Sequence, residues 1–174
     1  MADPPQAFAA LFEDAVRVHL RSDVPVGVHL SGGLDSSSIL CASARLRGAA
    51  GAGEPLQAFS YIAPEFDESR YIADTVAEAG AVLVSLQTDP VRLWGLIREF
   101  LWFQDEPVFS MSALVGYELM RLTAQHGVKV VLNGQGADET IGGYPSYFGD
   151  YWSALLRAGR IVQAWDEIGG HVAT

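Results

Sequence analysis

Residues 26–38 read VGVHLSGGLDSSS, and the fold can be read outward from them. An apolar run of Val26, Val28 and Leu30 stops at Ser31-Gly32-Gly33, after which Asp35 and three serines open a helix-like segment. A strand that turns straight into a helix leaves the first N–H groups of that helix without partners. The helix dipole adds roughly half a positive charge at the same place, so the turn attracts anions. Gly32 and Gly33 let the backbone come close to a ligand, and Ser31, Ser36 and Ser37 can add hydroxyl donors. No lysine follows the glycines, which sets the stretch apart from the usual P-loop.

A second stretch has the same grammar. Residues 130–147 read VVLNGQGADETIGGYPSY, a short apolar strand followed by glycines and then by Asp138 and Glu139. Around these two stretches the hydrophobic period alternates. Helical spacing covers 7–21, and strands are predicted at about 26–30, 56–62, 81–86 and 128–132. Helices are predicted at 35–47, 68–79, 90–103 and 111–126, with Asp67 placed to cap the second of these and Gly80 to end it. The aromatic-rich run 151–168 reads as helical. Strands alternating with helices predict an α/β fold, a doubly wound parallel sheet with helices on both faces. Ligands of such sheets bind at the carboxyl ends of the strands. Residues 31–35, those after Ile62, and 133–139 all follow predicted strand ends, so they are expected along one edge.

Bulk properties narrow the partners. The 174 residues, 49% apolar, suffice for one real core and read as a single domain, 1–174. A net charge of −10, with eleven basic residues scattered along the chain, argues against a nucleic-acid surface. An acidic protein that binds a polyphosphate must supply positive charge locally, through helix N-termini and a divalent cation. The lone cysteine, Cys41, excludes an internal disulfide, fits a reducing cytoplasm, and reads as a buried core residue. No apolar run approaches the about 20 residues of a membrane span, and the start, Met1-Ala-Asp-Pro-Pro, is not that of a signal peptide. His19, His29, His126 and His171 show no metal-ligand spacing and read as structural or surface residues.

The residues 31–36, Ser-Gly-Gly-Leu-Asp-Ser, resemble the pyrophosphate-binding loop of the ATP pyrophosphatase superfamily, whose members cleave ATP between its α and β phosphates. Residues 134–144, Gly-Gln-Gly-Ala-Asp-Glu-Thr-Ile-Gly-Gly-Tyr, resemble the second signature of the asparagine synthetase family. Both occur in order, each after a predicted strand, and the resemblance runs from about Phe8 to Tyr147 through Asp23-Val24-Pro25 and Asp105-Glu106-Pro107. It implies an adenine nucleotide α-hydrolase-like sheet and an AMP-forming, amide-forming ligase that uses ATP and Mg²⁺. Ser31, Gly32, Gly33, Asp35, Ser36, Tyr61 and Gly134 would then bind ATP and pyrophosphate, with Tyr61 near the adenine. Asp138, Gln135 and Glu139 would be the catalytic group. Two carboxylates beside a polyphosphate make sense if Mg²⁺ lies between them, so Asp35 and Asp138 are the expected metal ligands. The competing reading is that each is an ordinary helix N-cap. Gly142, Gly143 and Tyr144 would shape the pocket wall. The implied partners are a small carboxylate such as aspartate and an ammonia source, possibly a separate glutaminase domain.

Three departures qualify the resemblance. Residues 105–112 stand where the family meets its acceptor, and family members carry an arginine and threonines there. This chain has Val108, Phe109, Ser110, Met111 and Ser112, and the segment also reads as a helix break with a serine cap. The family's glutaminase domain begins with a nucleophilic cysteine after Met, whereas Ala2 follows Met1 here. Lysines beyond the second signature neutralise the α-phosphate in the family, but the sole lysine of this sequence is Lys129, at the opposite end of a strand. Arg157 and Arg160 are the nearest cations in sequence, and arginine is not a neutral exchange. The sequence therefore reads as a truncated synthetase domain. A cyclising relative of the β-lactam synthetase or lasso-peptide cyclase kind, or a catalytically incomplete nucleotide-binding module, remains the alternative.

Overall fold

The computed structural model describes residues 3–51, 54–62, 67–87, 89–108 and 110–172. The element order is α1 (Pro4–His19), β1 (Val26–His29), α2 (Leu34–Ala49), β2 (Gln57–Tyr61), α3 (Ser69–Ala79), β3 (Val82–Leu86), α4 (Pro90–Gln104), α5 (Met111–Gln125), β4 (Val130–Leu132), α6 (Ala137–Ile141), α7 (Pro145–Arg157) and α8 (Ile161–Val172). These residues fall into two compact units, the first ending at Gly134 and the second beginning at Gln135.

The first unit holds a four-stranded sheet of order β3-β2-β1-β4, parallel at every pairing. Chain order runs outward from β1 to β3 and then returns to β4 on the other side of β1. Right-handed crossovers taken in opposite directions place their helices on opposite faces, and the contacts agree. Val28, Leu30 and Ala58 pack with Leu40 of α2 and Ile72 of α3 in one apolar cluster. Their strand neighbours point the other way, so His29 reaches Thr123 of α5 and the Phe59 ring meets His126 just beyond it. This is the doubly wound α/β arrangement that the alternating periodicity predicts.

Helices α4 and α5 carry a small core of their own, Leu93, Phe100 and Leu114. Glu118 of α5 is 3% exposed and accepts from Arg121 at 3.1 Å and from Arg92 of α4 at 3.4 Å. A carboxylate so far from water needs such partners, which clip the two helices together. The break between them is as read from sequence. Asp105 ends α4 in the left-handed region (φ 57°), and the Ser110 hydroxyl caps α5 by accepting from the Ser112 N–H at 3.2 Å. Phe109 lies outside the described residues.

The second unit consists of α6, α7 and α8, with Leu155 and Ala164 buried. The predicted single helical run over 151–168 is two helices, because Gly159 turns left-handed (φ 72°) between them. The histidines are structural as expected: His171 stacks on Phe148, and His19 and His126 bond to carbonyls of their own helices. Cys41 is a correction. It is only partly buried, in a depression shared with Phe12, Arg45 and Glu78, because α2 turns this face away from the sheet. Burial, with the Glu78 charge second, raises its thiol pKa. No helix among the described residues is long and apolar enough to cross a membrane.

Candidate functional site

The turn from β1 into α2 is held by its serines. The Ser31 N–H donates to Ser36 Oγ at 3.1 Å, and the Gly33 N–H donates to Ser31 Oγ at 3.2 Å. Ser36 Oγ donates to the Gly33 carbonyl at 3.3 Å, so its 3.0 Å contact with Ser31 Oγ is a bond donated by Ser31. Each hydroxyl proton is thereby used within the turn, and Ser36 is 4% exposed. The serines expected to grip phosphate thus hold the loop in shape. What the turn offers an anion is the first-turn N–H groups of α2, whose N-cap Gly33 brings no side-chain cap.

Gly32 also has a steric reason to be glycine. Its φ is +88°, and an added Cβ would sit 3.0 Å from Glu68 Cβ and 3.3 Å from Ile72 Cγ1. The missing side chain makes room for α3. Gly33 has an ordinary backbone, and a Cβ there would meet only Ser31 Oγ, at 3.3 Å.

Asp35 stands in the first turn of α2, behind the N-cap. Asp138 and Glu139 stand likewise in the first turn of α6, whose N-cap is Gly136 at φ +92°. Neither aspartate is an N-cap, so the plain alternative for both falls away. Asp67, expected to cap α3, stands one residue before the actual N-cap, Glu68; it accepts from the Ser69 N–H at 3.1 Å, and hydrogen bonding with Ser69, through its side chain first and its backbone second, lowers its pKa.

The parallel register sets the other residues. Tyr61 ends β2, and His29↔Phe59 pairing, carried two residues on, puts Ser31 level with it. Gly134 follows β4 and lies against α2: a Cβ on it would fall 3.0 Å from Asp35 Cβ and 3.1 Å from the Ser36 nitrogen. The start of the second signature is thus packed on the first. Lys129 precedes β4 at the opposite, amino edge. Residues 63–66, expected on the carboxyl edge after Ile62, lie outside the described residues.

In the second unit Gln135 precedes α6, and the Tyr144 hydroxyl donates to Glu139 Oε1 at 2.8 Å. That bond holds the Glu139 carboxyl below its ordinary range and pushes the Tyr144 phenol up. The pairing of Tyr144 with Glu139 was not legible in sequence, although the residues lie one helical turn and a cap apart.

No group of three His, Cys, Asp or Glu among the described residues is disposed to hold a metal. Mg²⁺ asks a protein for only one or two carboxylates beside phosphate oxygens and water; Asp35 in the first unit and Asp138 in the second are each a first-turn carboxylate of the kind it takes.

A doubly wound parallel sheet with a glycine turn at its carboxyl edge, and an acidic residue one step inside the following helix, defines a class of small-ligand α/β domains. The chain belongs to the asparagine synthase family, whose profile matches residues 7–171. It is 35% identical over 136 residues to asparagine synthetase [glutamine-hydrolyzing] 1 of Bacillus subtilis, covering 77% of this chain and 20% of that one. It is 34% identical over 162 residues to an asparagine synthetase [glutamine-hydrolyzing] of Brassica oleracea, covering 80% and 25%. An amidase of Gibberella zeae is 28% identical over 151 residues, covering 79% and 22%. The chain thus spans between a fifth and a quarter of the length of these relatives.

Proposed function

We propose that this chain is the ATP-binding part of an amide-forming ligase of asparagine synthetase type, acting in the cytoplasm. The observation that carries the reading is the packing of Gly134, the first residue of the second signature, against Asp35 and Ser36 of the first. In the proposed reaction a carboxylate oxygen of aspartate, or of an analogue, attacks the α-phosphate of ATP. Pyrophosphate leaves with the bonding electrons, giving an acyl-adenylate. Ammonia, supplied by a separate glutaminase domain or from solution, then attacks the acyl carbon, loses a proton and displaces AMP.

The proposed roles are these. The first-turn N–H groups of α2 receive the β- and γ-phosphates, with Ser31 and Ser36 holding Gly32 and Gly33 in place, and Tyr61 and Gly134 border the nucleotide. Asp35 and Asp138 would hold Mg²⁺, which when bound offsets phosphate charge. Gln135 cannot take up a proton as a general base, so it orients nucleotide or acceptor by hydrogen bonds. Glu139, ionised and steadied by Tyr144, faces the incoming nitrogen nucleophile. Such catalysis rests on positioning and on preorganised charge.

A second reading, nucleotide binding without turnover, is favoured by Lys129, which stands at the amino edge. Adenylation must stabilise charge that appears only in the transition state, so binding ATP is not enough for rate. The test is to supply ATP, Mg²⁺, aspartate and ammonia and to measure nucleotide binding beside AMP and pyrophosphate release. Mg²⁺-dependent binding with little AMP is expected. Absence of nucleotide binding overturns the proposal, and robust AMP release overturns the second reading and directs attention to Arg157 and Arg160.

A further inference from the structure

The second signature contains a glycine whose backbone does not need to be one. Gly142 closes α6 in the left-handed region at φ 74°, but its neighbour Gly143 is outside that region. Gly143 instead has a steric reason. Its N–H donates to the Asp138 carbonyl at 3.0 Å, drawing residue 143 back over α6. A Cβ on Gly143 would fall 1.9 Å from Asp138 Oδ1 and 2.8 Å from its Cγ. Any side chain at 143 and the present direction of the Asp138 carboxylate therefore exclude each other. The two overlapping atoms belong to the Asp138 side chain, while its Cα would stand 3.2 Å away, tight but not overlapping, so an alanine is accommodated chiefly by turning Asp138 rather than by unfolding the turn.

We infer that Gly143 is a positioning residue for Asp138: it reserves the space in which the carboxylate lies and so fixes the direction in which that acid is presented. The functional consequence rests on the proposed role of Asp138 beside Mg²⁺ and pyrophosphate, but the positional claim does not. Glu139 is restrained separately by Tyr144, so adjacent residues 143 and 144 set the two adjacent acids 138 and 139.

The experiment uses the full chain and its Gly143→Ala, Gly142→Ala and Asp138→Asn variants. The χ1 rotamer of Asp138 is followed by side-chain NMR couplings, and Mg²⁺-dependent binding of inorganic pyrophosphate is followed by calorimetry. Gly143→Ala is expected to keep its circular dichroism and urea midpoint, to change the Asp138 rotamer, and to weaken pyrophosphate binding about tenfold or more, as loss of an orienting neighbour does. Gly142→Ala strains a left-handed residue, yet its Cβ would meet only Tyr147 Cδ2 at 3.8 Å. Its cost should fall on stability, with the Asp138 rotamer unmoved. An unchanged Asp138 rotamer in Gly143→Ala overturns the positional inference whatever happens to binding. A changed rotamer with full binding in both Gly143→Ala and Asp138→Asn upholds it and overturns the metal role of Asp138 instead.

Discussion

The turn at 31–36 and the turn at 134–144 each set an acidic residue in the first turn of a helix behind a glycine N-cap, yet different forces hold them. The first sits on the apolar cluster of Val28, Leu30, Leu40 and Ile72 and is tied by a closed set of serine hydrogen bonds. The second is built on a five-residue helix with no buried residue, closed by left-handed glycines at both ends. Its side chains are directed by single contacts: Gly143 beneath Asp138, and Tyr144 on Glu139. A change at a packed position of the first turn, such as Gly32, is therefore paid in stability, and a change in the second in the direction or ionisation of one side chain.

The largest effect should come from Gly32→Val. A β-branched residue at φ +88°, aimed at Glu68 and Ile72, combines backbone strain with overpacking and should cost about 2–4 kcal/mol. Urea unfolding measures it, and a loss within experimental error would show that α3 yields more readily than the contact distances imply. Gly33→Ala is the gentler probe of the same turn. Its Cβ meets only Ser31 Oγ, so the fold should stand while ATP affinity drops about tenfold, or about 1.4 kcal/mol. Adenosine affinity should barely move; an equal loss of both would place the phosphates elsewhere.

Beneath the first turn, His29 gives that region a pH dependence. Thr123 Oγ1 gives its proton to the Leu119 carbonyl at 2.7 Å, so at 3.1 Å it accepts from the His29 Nε2–H. Burial lowers the pKa of His29 from its ordinary 6.5. The unfolded chain then takes the proton first, so the His29 contribution is intact above that value and is lost as pH falls below it toward the folded pKa. The urea midpoint should decline as pH falls below about 6.5, and His29→Gln should flatten this part of the slope. A slope identical in the variant would assign the decline to other groups.

The smallest effect belongs to the second turn. Tyr144→Phe removes a hydrogen bond made to the ionised carboxylate, so the Glu139 pKa should rise toward its ordinary 4.5. Carboxyl NMR titration reads this directly. The stability of the chain should hold, since both side chains are exposed.

The same contrast explains what could be read from the sequence. The parallel α/β class followed from short apolar runs alternating with helical ones, because a parallel sheet buried on both faces imposes near-continuous apolar strands. Purpose at single glycines did not follow. Gly32 is a glycine because α3, distant in sequence, passes beside it, and Gly143 because of one aspartate rotamer. The hydroxyls of Ser31 and Ser36 are donors in any inventory, but only the folded turn shows that Ser31 donates to Ser36 and Ser36 to the Gly33 carbonyl. Asp35 and Asp138 look like caps in sequence, since Asp after a turn commonly is one. Two residues of register, with Gly33 and Gly136 taking the cap position, separate that job from a first-turn carboxylate.

Calorimetry of Mg²⁺-pyrophosphate binding to the wild-type chain, Asp35→Asn and Asp138→Asn tests the central claim most directly. These substitutions preserve shape and remove charge, so urea midpoints should be nearly unchanged. The account predicts that the wild-type chain binds pyrophosphate only with Mg²⁺ present and that each variant binds about tenfold or more weakly, the scale of a lost charged contact. Wild-type affinity in both variants, or equal binding with and without Mg²⁺, would contradict it.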